Sequence, residues 1–288
     1  MISSTQQSLL GALVAVLATA CGAEPRALPD AGPRTDAPSG GGDAPQVSPI
    51  TAPPPSLGVS TFYTKYLDAD GIPIVASAVV ADAAVIEAQR ELRKLGAQRP
   101  ELRTKLRDAK HYVIIMGKSQ VFTDLPEYVN LYQLYPDFDW NKKAREMSAN
   151  SALPFTSVAE ENIMCDPSDP WAGESLMVYA FAQTWHTMGF GDAGPAGSFD
   201  ARLTAAFDAA KTSGHFTNTW AISSKYAYFA EGAQDWFDAN REANPPNGVH
   251  GTINTRAELI AADPGLSALL MEALPSDDWR LRCSDIGR

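Results

Sequence analysis

The chain has 288 residues, 45% of them hydrophobic, which is enough apolar material for one large domain with appendages. Its 23 basic and 34 acidic side chains give a formal net charge of -11, which excludes nucleic acid, whose phosphates select basic surfaces. Acidity keeps an exported protein soluble and leaves the choice among neutral and basic partners open.

Residues 1–20, MISSTQQSLLGALVAVLATA, read as an export signal, because the apolar run Leu9–Ala18 is too short for a membrane span. The small residues Ala18-Thr19-Ala20 and the lipoprotein-type text Leu17–Cys21 place cleavage at the same bond. There are three cysteines, Cys21, Cys165 and Cys283. Lipidation of Cys21 leaves an even pair, either one disulfide in an oxidising compartment or two separate buried thiols. A lipid-anchored protein of the bacterial cell envelope is expected, with plain secretion as the alternative. Residues 21–57, rich in Pro, Gly, Ala and Asp, form a linker that cannot bury enough apolar surface to offset its ordering entropy.

The globular domain spans 58–288. Phe62–Leu67 and Ile72–Val75 are extended segments around the turn Asp68-Ala69-Asp70-Gly71, which lacks the distal Glu of a calcium loop. Asp82–Leu95 is a helix with Val85, Ala88, Leu92 and Leu95 on one face, and Pro100–Ala109 is a second. Tyr112–Met116, YVIIM, is a buried strand. Tyr128–Thr156 is aromatic and irregular; Tyr132, Tyr135, Phe138 and Trp140 either line a cleft or pack on the domain. Asp169-Pro170 signals the approach of a helix over Ser175–Gly191, SLMVYAFAQTWHTMGFG, on which Leu176, Tyr179, Gln183 and His186 share a face. Asp200–Ser213 turns Leu203, Phe207 and Ala210 inward, and Tyr228–Asn240, YFAEGAQDWFDAN, is a further helix. Ile253–Leu259 and the helix Pro264–Leu274 close an α+β domain, mostly helical with a small sheet.

The texts SLMVYAFAQTWH, AEENIMC (Ala159–Cys165), FAEGAQDWF, KYLDADGIPI, IIMGKSQVFTDLPEY and NGVHGTINTR together resemble a family of secreted zincin-type, gluzincin-like metallopeptidases. The family is distantly like the catalytic domain of anthrax lethal factor, and the resemblance covers about Phe62 to Trp279. It implies a zincin-like fold, a zinc ion and a peptide substrate. The family's first helix carries HEFAHxxH and its second an EYWAEG-like segment. By that match Tyr179 stands at the first His, Ala180 at the catalytic Glu and Gln183 at the second His. His186 and Glu231 keep family residues, His250 lies in family-like text, and Ala227 replaces an upstream Glu.

A zinc peptidase needs two imidazoles one helical turn apart, a third ligand from a following helix and a Glu beside the metal-bound water. A methyl group at Ala180 can neither take nor deliver that proton. Tyr179 is protonated near neutral pH, and Gln183 is a weak neutral oxygen donor. No catalytic residue and no zinc are therefore expected, unless Gln183, His186 and Glu231 converge on an ion in a shifted geometry. His186, Glu231 and His250 remain as cleft candidates, Glu231 hydrogen-bonded to Tyr179 or Gln183 and His186 a core or cleft histidine. Glu160 and Glu161 with Glu174 or Asp169 are set too close in sequence for a glycosidase pair. No GxSxG or Cys/His nucleophile pattern occurs. The expectation is an exported lipoprotein whose inactive metallopeptidase-like domain binds a peptide or an envelope protein. The alternatives are a weak, unconventional hydrolase using His186 and Glu231, and a structural surface protein without a ligand.

Overall fold

The structure, a computed structural model, describes residues 49–134, 136–137, 139–141, 145–281 and 283. The export signal, Cys21 and all but the end of the linker lie outside the described residues. The α+β class is found: among the described residues five strands form one mixed sheet, accompanied by nine helices.

Strands β1 (Tyr63–Ala69) and β2 (Ile72–Ser77) make an antiparallel hairpin. Its turn holds Asp70 and Gly71 at positive φ, and Asp68 Oδ1 accepts the Gly71 amide at 2.8 Å. The acidic turn thus serves the backbone, as Asx turns do. Helices α1 (Asp82–Leu95) and α2 (Pro100–Asp108) cross to β3 (Tyr112–Met116), which runs parallel to β2. After the short α3 (Leu131–Leu134) come β4 (Glu146–Met147) and β5 (Phe155–Ala159). β5 is parallel to β3, and β4 lies antiparallel on β5 at the edge, giving the order β1-β2-β3-β5-β4.

The two-residue period of β2 and β3 fills two separate cores. Ile74, Ala76, Val113 and Ile115 face the helices, and Val75, Ile114 and Met116 face the other way. Phe122, Tyr128 and Trp140 cover that second face, so the described part of the aromatic stretch mainly packs on the domain, with Tyr132 left exposed.

The helical half comes after β5. It comprises α4 (Glu160–Ile163), α5 (Leu176–Thr184), α6 (Phe199–Ser213), α7 (Lys225–Trp236), α8 (Arg256–Ala262) and α9 (Pro264–Ala273). Helix α5 starts where Ser175 caps it, the side chain accepting the Val178 amide, and eight of its nine residues are buried. A helix apolar all round belongs at the centre of a core. Helix α7 is buried continuously from Ala227 to Trp236. The two are joined end to end, since Gln234 Nε2 donates to Ser175 O and the Ser175 amide to Ala239 O, both at 2.9 Å. Leu176, Phe181, Trp236 and Phe237 are all buried, each stabilising the pair by roughly 1.5–3 kcal/mol. Gly232 lies where α9 crosses α7, and a Cβ there would lie 2.5 Å from Leu266 Cδ2 and push that side chain aside. Cys165 and Cys283 form a disulfide across 118 residues, tying the end of the chain to the turn after α4.

Candidate functional site at the helix pair

The helix continuing from α5 does not keep its period. From Trp185 to Gly191 it winds as a π-helix, which inserts extra backbone per turn and rotates the side chains beyond it. Tyr179 and Gln183 precede that change; His186 lies within it. The single face expected for Tyr179, Gln183 and His186 is therefore broken at the last member.

His186 is fully buried, and its Nε2 lies 3.0 Å from Asp200 Oδ1. Its ring sits among Phe199, Tyr226 and Phe229. Lys225, the first residue of α7, reaches the same Asp200 oxygen at 2.5 Å. Burial pushes the His186 pKa down, against the pull of Asp200. His186 is a core histidine in a charge-balanced group, not a cleft residue.

Tyr179 and Glu231 belong to a different group. The Tyr179 hydroxyl accepts the indole N–H of Trp220 at 2.8 Å. Burial raises its pKa well above the usual phenol value, and Glu146, Glu231 and Glu174 add to that rise. Glu231 is buried, and its Oε2 accepts Asn240 Nδ2 at 3.1 Å. Asn240 also donates to Asp235 Oδ1 at 2.8 Å. The expected hydrogen bond from Tyr179 or Gln183 to Glu231 is thus replaced by one from Asn240. Burial lifts the Glu231 carboxyl well above its ordinary pKa, with Glu174 and Asp235 contributing. His250 joins this group through Glu174, Nε2 to Oε1 at 3.4 Å, both side chains 5% exposed. Glu146, on edge strand β4, has its carboxyl raised to about 7 by burial.

Ala180 is fully buried, so its methyl group faces the core and not a solvent-filled cleft. Edge strand β4 is held beside α5 through Thr184, whose Oγ1 accepts the Ala149 amide at 2.9 Å. Thr187 Oγ1 donates back to Ala149 O at 2.8 Å. The same Thr184 hydroxyl bonds Thr156 Oγ1, which bonds His111 Nε2, so a buried polar chain fixes helix, sheet and edge strand together. Glu160 and Glu161 are structural ties: Glu160 accepts the amides of Ala81 and Lys118, and Glu161 pairs with Arg145 at 2.5 Å.

These residues do not fit a zinc ion. The Tyr179 oxygen is occupied by an indole donor and strongly resists ionisation, Gln183 offers a neutral amide, and the one histidine of α5 and its continuation is turned to Asp200. Among the described residues no three His, Cys, Asp or Glu side chains are grouped as metal ligands. Comparison with family models, with curated proteins and with solved structures finds no match.

Sequence reasoning missed Glu146, Trp220, Asp235 and Asn240. Asp235, one helical turn after Glu231, carried a local signal, whereas Asn240 lies past the helix end, where helical spacing says nothing. Glu146 sits on a two-residue strand and Trp220 opens a single 3-10 turn, elements too short for spacing to say what they meet.

Proposed function

We propose that the chain is an exported, lipid-anchored protein whose domain, built on a zincin-type metallopeptidase frame, binds an extended peptide segment without cutting it. The observation that carries the binding half is edge strand β4. It is antiparallel to β5, lies beside α5, and has no strand on its outer side among the described residues. The Ala159 amide donates to Arg145 O, so Glu146, one residue on, turns its own amide outward by the alternation of an antiparallel ladder. An unpaired outward edge is a template for an added strand, with backbone hydrogen bonds supplying affinity and neighbouring side chains supplying selection. The side chains beside this edge are Glu146, Tyr179 and Trp220.

The non-catalytic half rests on chemistry at the helix pair. A metal-activated water needs a base where Ala180 stands and imidazoles where Tyr179 and Gln183 stand. Zinc is therefore not assigned as a cofactor. The partner class is a peptide or an envelope protein, reached from the membrane through Cys21 and the linker.

Selection from a displayed library of unstructured peptides tests the reading. Enriched peptides should bind the wild-type chain and lose binding to Glu146→Pro, which removes an outward amide at the first residue of an edge strand. An unchanged affinity for that variant, or cleavage of the peptides sensitive to a chelator, overturns it.

A further inference from the structure

A cavity of about 330 Å³ lies at the start of α5, walled by α1, the loop after α4 and the end of the chain. It is separate from the edge strand. Its size suits a small organic molecule rather than a single water. Five carboxylates line it, Glu91, Asp166, Asp169, Glu174 and Asp238, and no Lys, Arg or His does so among the described residues. The Cys165–Cys283 disulfide forms part of the wall.

Three of the five acids are compensated. Asp166 pairs with Lys118 at 2.7 Å and Asp238 with Arg280 at 2.8 Å. Asp169 accepts Asn162 Nδ2 and the Trp171 amide. Glu174 faces His250 at 3.4 Å, yet its buried Oε1 makes no hydrogen bond. Glu91 is different. It is 1% exposed, and its buried Oε2 has no hydrogen-bond partner. Its neighbour Arg90 bonds Glu87 through Nε and Nη2, at 3.0 and 2.6 Å to Oε1. Burial and the charge of Glu87 both hold the Glu91 carboxyl well above its usual pKa. Buried polar groups in native structures are almost always satisfied, and a carboxylate is the costliest kind to leave unpaired.

We propose that this cavity binds a small organic cation, through a primary ammonium or guanidinium group, with Glu91 as the buried counter-ion. Such a head group carries several N–H donors, so it would satisfy Glu91 Oε2 and still donate to a second wall carboxylate. A divalent metal is disfavoured, because the wall acids do not converge as a ligand set. The head group has two sources, a free small molecule or an arginine of the chain's own last residues, such as Arg288.

Calorimetric titration of the full mature chain with agmatine, arginine and cadaverine, with pentanol as the neutral control, tests the proposal. At least one cation should bind and pentanol should not. Glu91→Gln, which keeps the shape and removes the charge, should weaken binding by about tenfold or more. Ala172→Trp, which fills the wall from an exposed position and leaves Glu91 in place, should do the same; thermal melts check that both variants fold. Binding that appears only after deletion of residues 284–288 assigns the head group to the chain's own tail. No binding by either form at millimolar cation, or equal affinity for wild type and both variants, overturns the proposal.

Discussion

The two ends of the α5–α7 pair solve the burial of charge in opposite ways. At one end, Asp200 is shared by His186 and Lys225, so a carboxylate meets two cationic or protonatable partners. At the other end, Glu231, Glu174 and Glu146 lie around Tyr179, with Asp235 joined to Glu231 through Asn240, and the facing groups are an amide, an indole and the histidine His250. The first arrangement answers its acid with a direct cationic contact. The second offers its acids few cations, and burial there raises the pKa values of Glu231, Asp235 and Glu146. The lesson is that the neighbours of a buried carboxylate, and not its local sequence, decide how its charge is handled. Glu231 is held by Asn240, which also donates to Asp235.

The strongest way to break this comparison is to supply the acid end with imidazoles. In the double variant Tyr179→His/Gln183→His, two nitrogens would stand one helical turn apart on α5, opposite Glu231 of α7. If the helix pair is a zincin-type frame, that variant should hold one zinc per chain after dialysis, where the wild type should hold none. Elemental analysis reads the result. A metal-free double variant that still melts cooperatively would sink the frame assignment.

The second test removes the shared acid. Asp200→Ala leaves His186 and Lys225 facing each other in a site where the Asp200 side chain was only 11% exposed. Stripping one member from a buried ionic group costs roughly 3–5 kcal/mol, and the variant should lose about 3 kcal/mol in urea unfolding. A loss below about 1 kcal/mol would place this end in the weak class of surface pairs.

How much of the molecule is legible in the sequence depends on where the information sits. Asp82–Leu95 and Tyr112–Met116 are legible with their observed bounds, because apolar period and turn residues are local. β5 is not, since Thr156 and Ser157 break the apolar pattern of FTSVA and are buried only because His111, Thr184 and Tyr128 meet them. The π-helical turn after Thr184 is equally hidden. It leaves the sequence helical in character while moving His186 off the Tyr179 face, so residues that spacing assigns to one site are divided by the fold between two. Asp235 is within reach, one helical turn after Glu231; Asn240, past the helix end, and Glu146 and Trp220, on elements too short for spacing to speak, need the tertiary structure.

A smaller effect tests whether the Tyr179 hydroxyl is a structural acceptor. Tyr179→Phe removes the oxygen that receives the Trp220 indole at 2.8 Å and leaves the ring volume unchanged. Loss of one such bond costs about 1 kcal/mol, and Trp220 fluorescence should shift as its N–H seeks water. Unchanged stability together with an unchanged emission spectrum would show that the bond contributes nothing.

The finest test uses pH, because the domain carries two buried groups of opposite sign. Burial depresses His111 from 6.5 to about 3, so the folded chain keeps it neutral while the unfolded chain takes up a proton below 6.5. Stability attributable to His111 is therefore lost as pH falls from about 6.5 toward 3. Burial raises Glu146 from 4.5 to about 7, so the folded chain holds a proton that the unfolded chain releases above 4.5. Stability attributable to Glu146 is full below 4.5 and is lost as pH rises through 7. Glu146→Gln abolishes that second arm alone. The variant should match wild type near pH 4, where Glu146 is protonated in the fold, and exceed it at pH 8, where the wild type must ionise a buried carboxyl or unfold. The acid arm set by His111 should be the same in both. Melting curves at matched pH values check this. A variant that gains at pH 4 as much as at pH 8 would show that Glu146 acts through its shape and not through its proton.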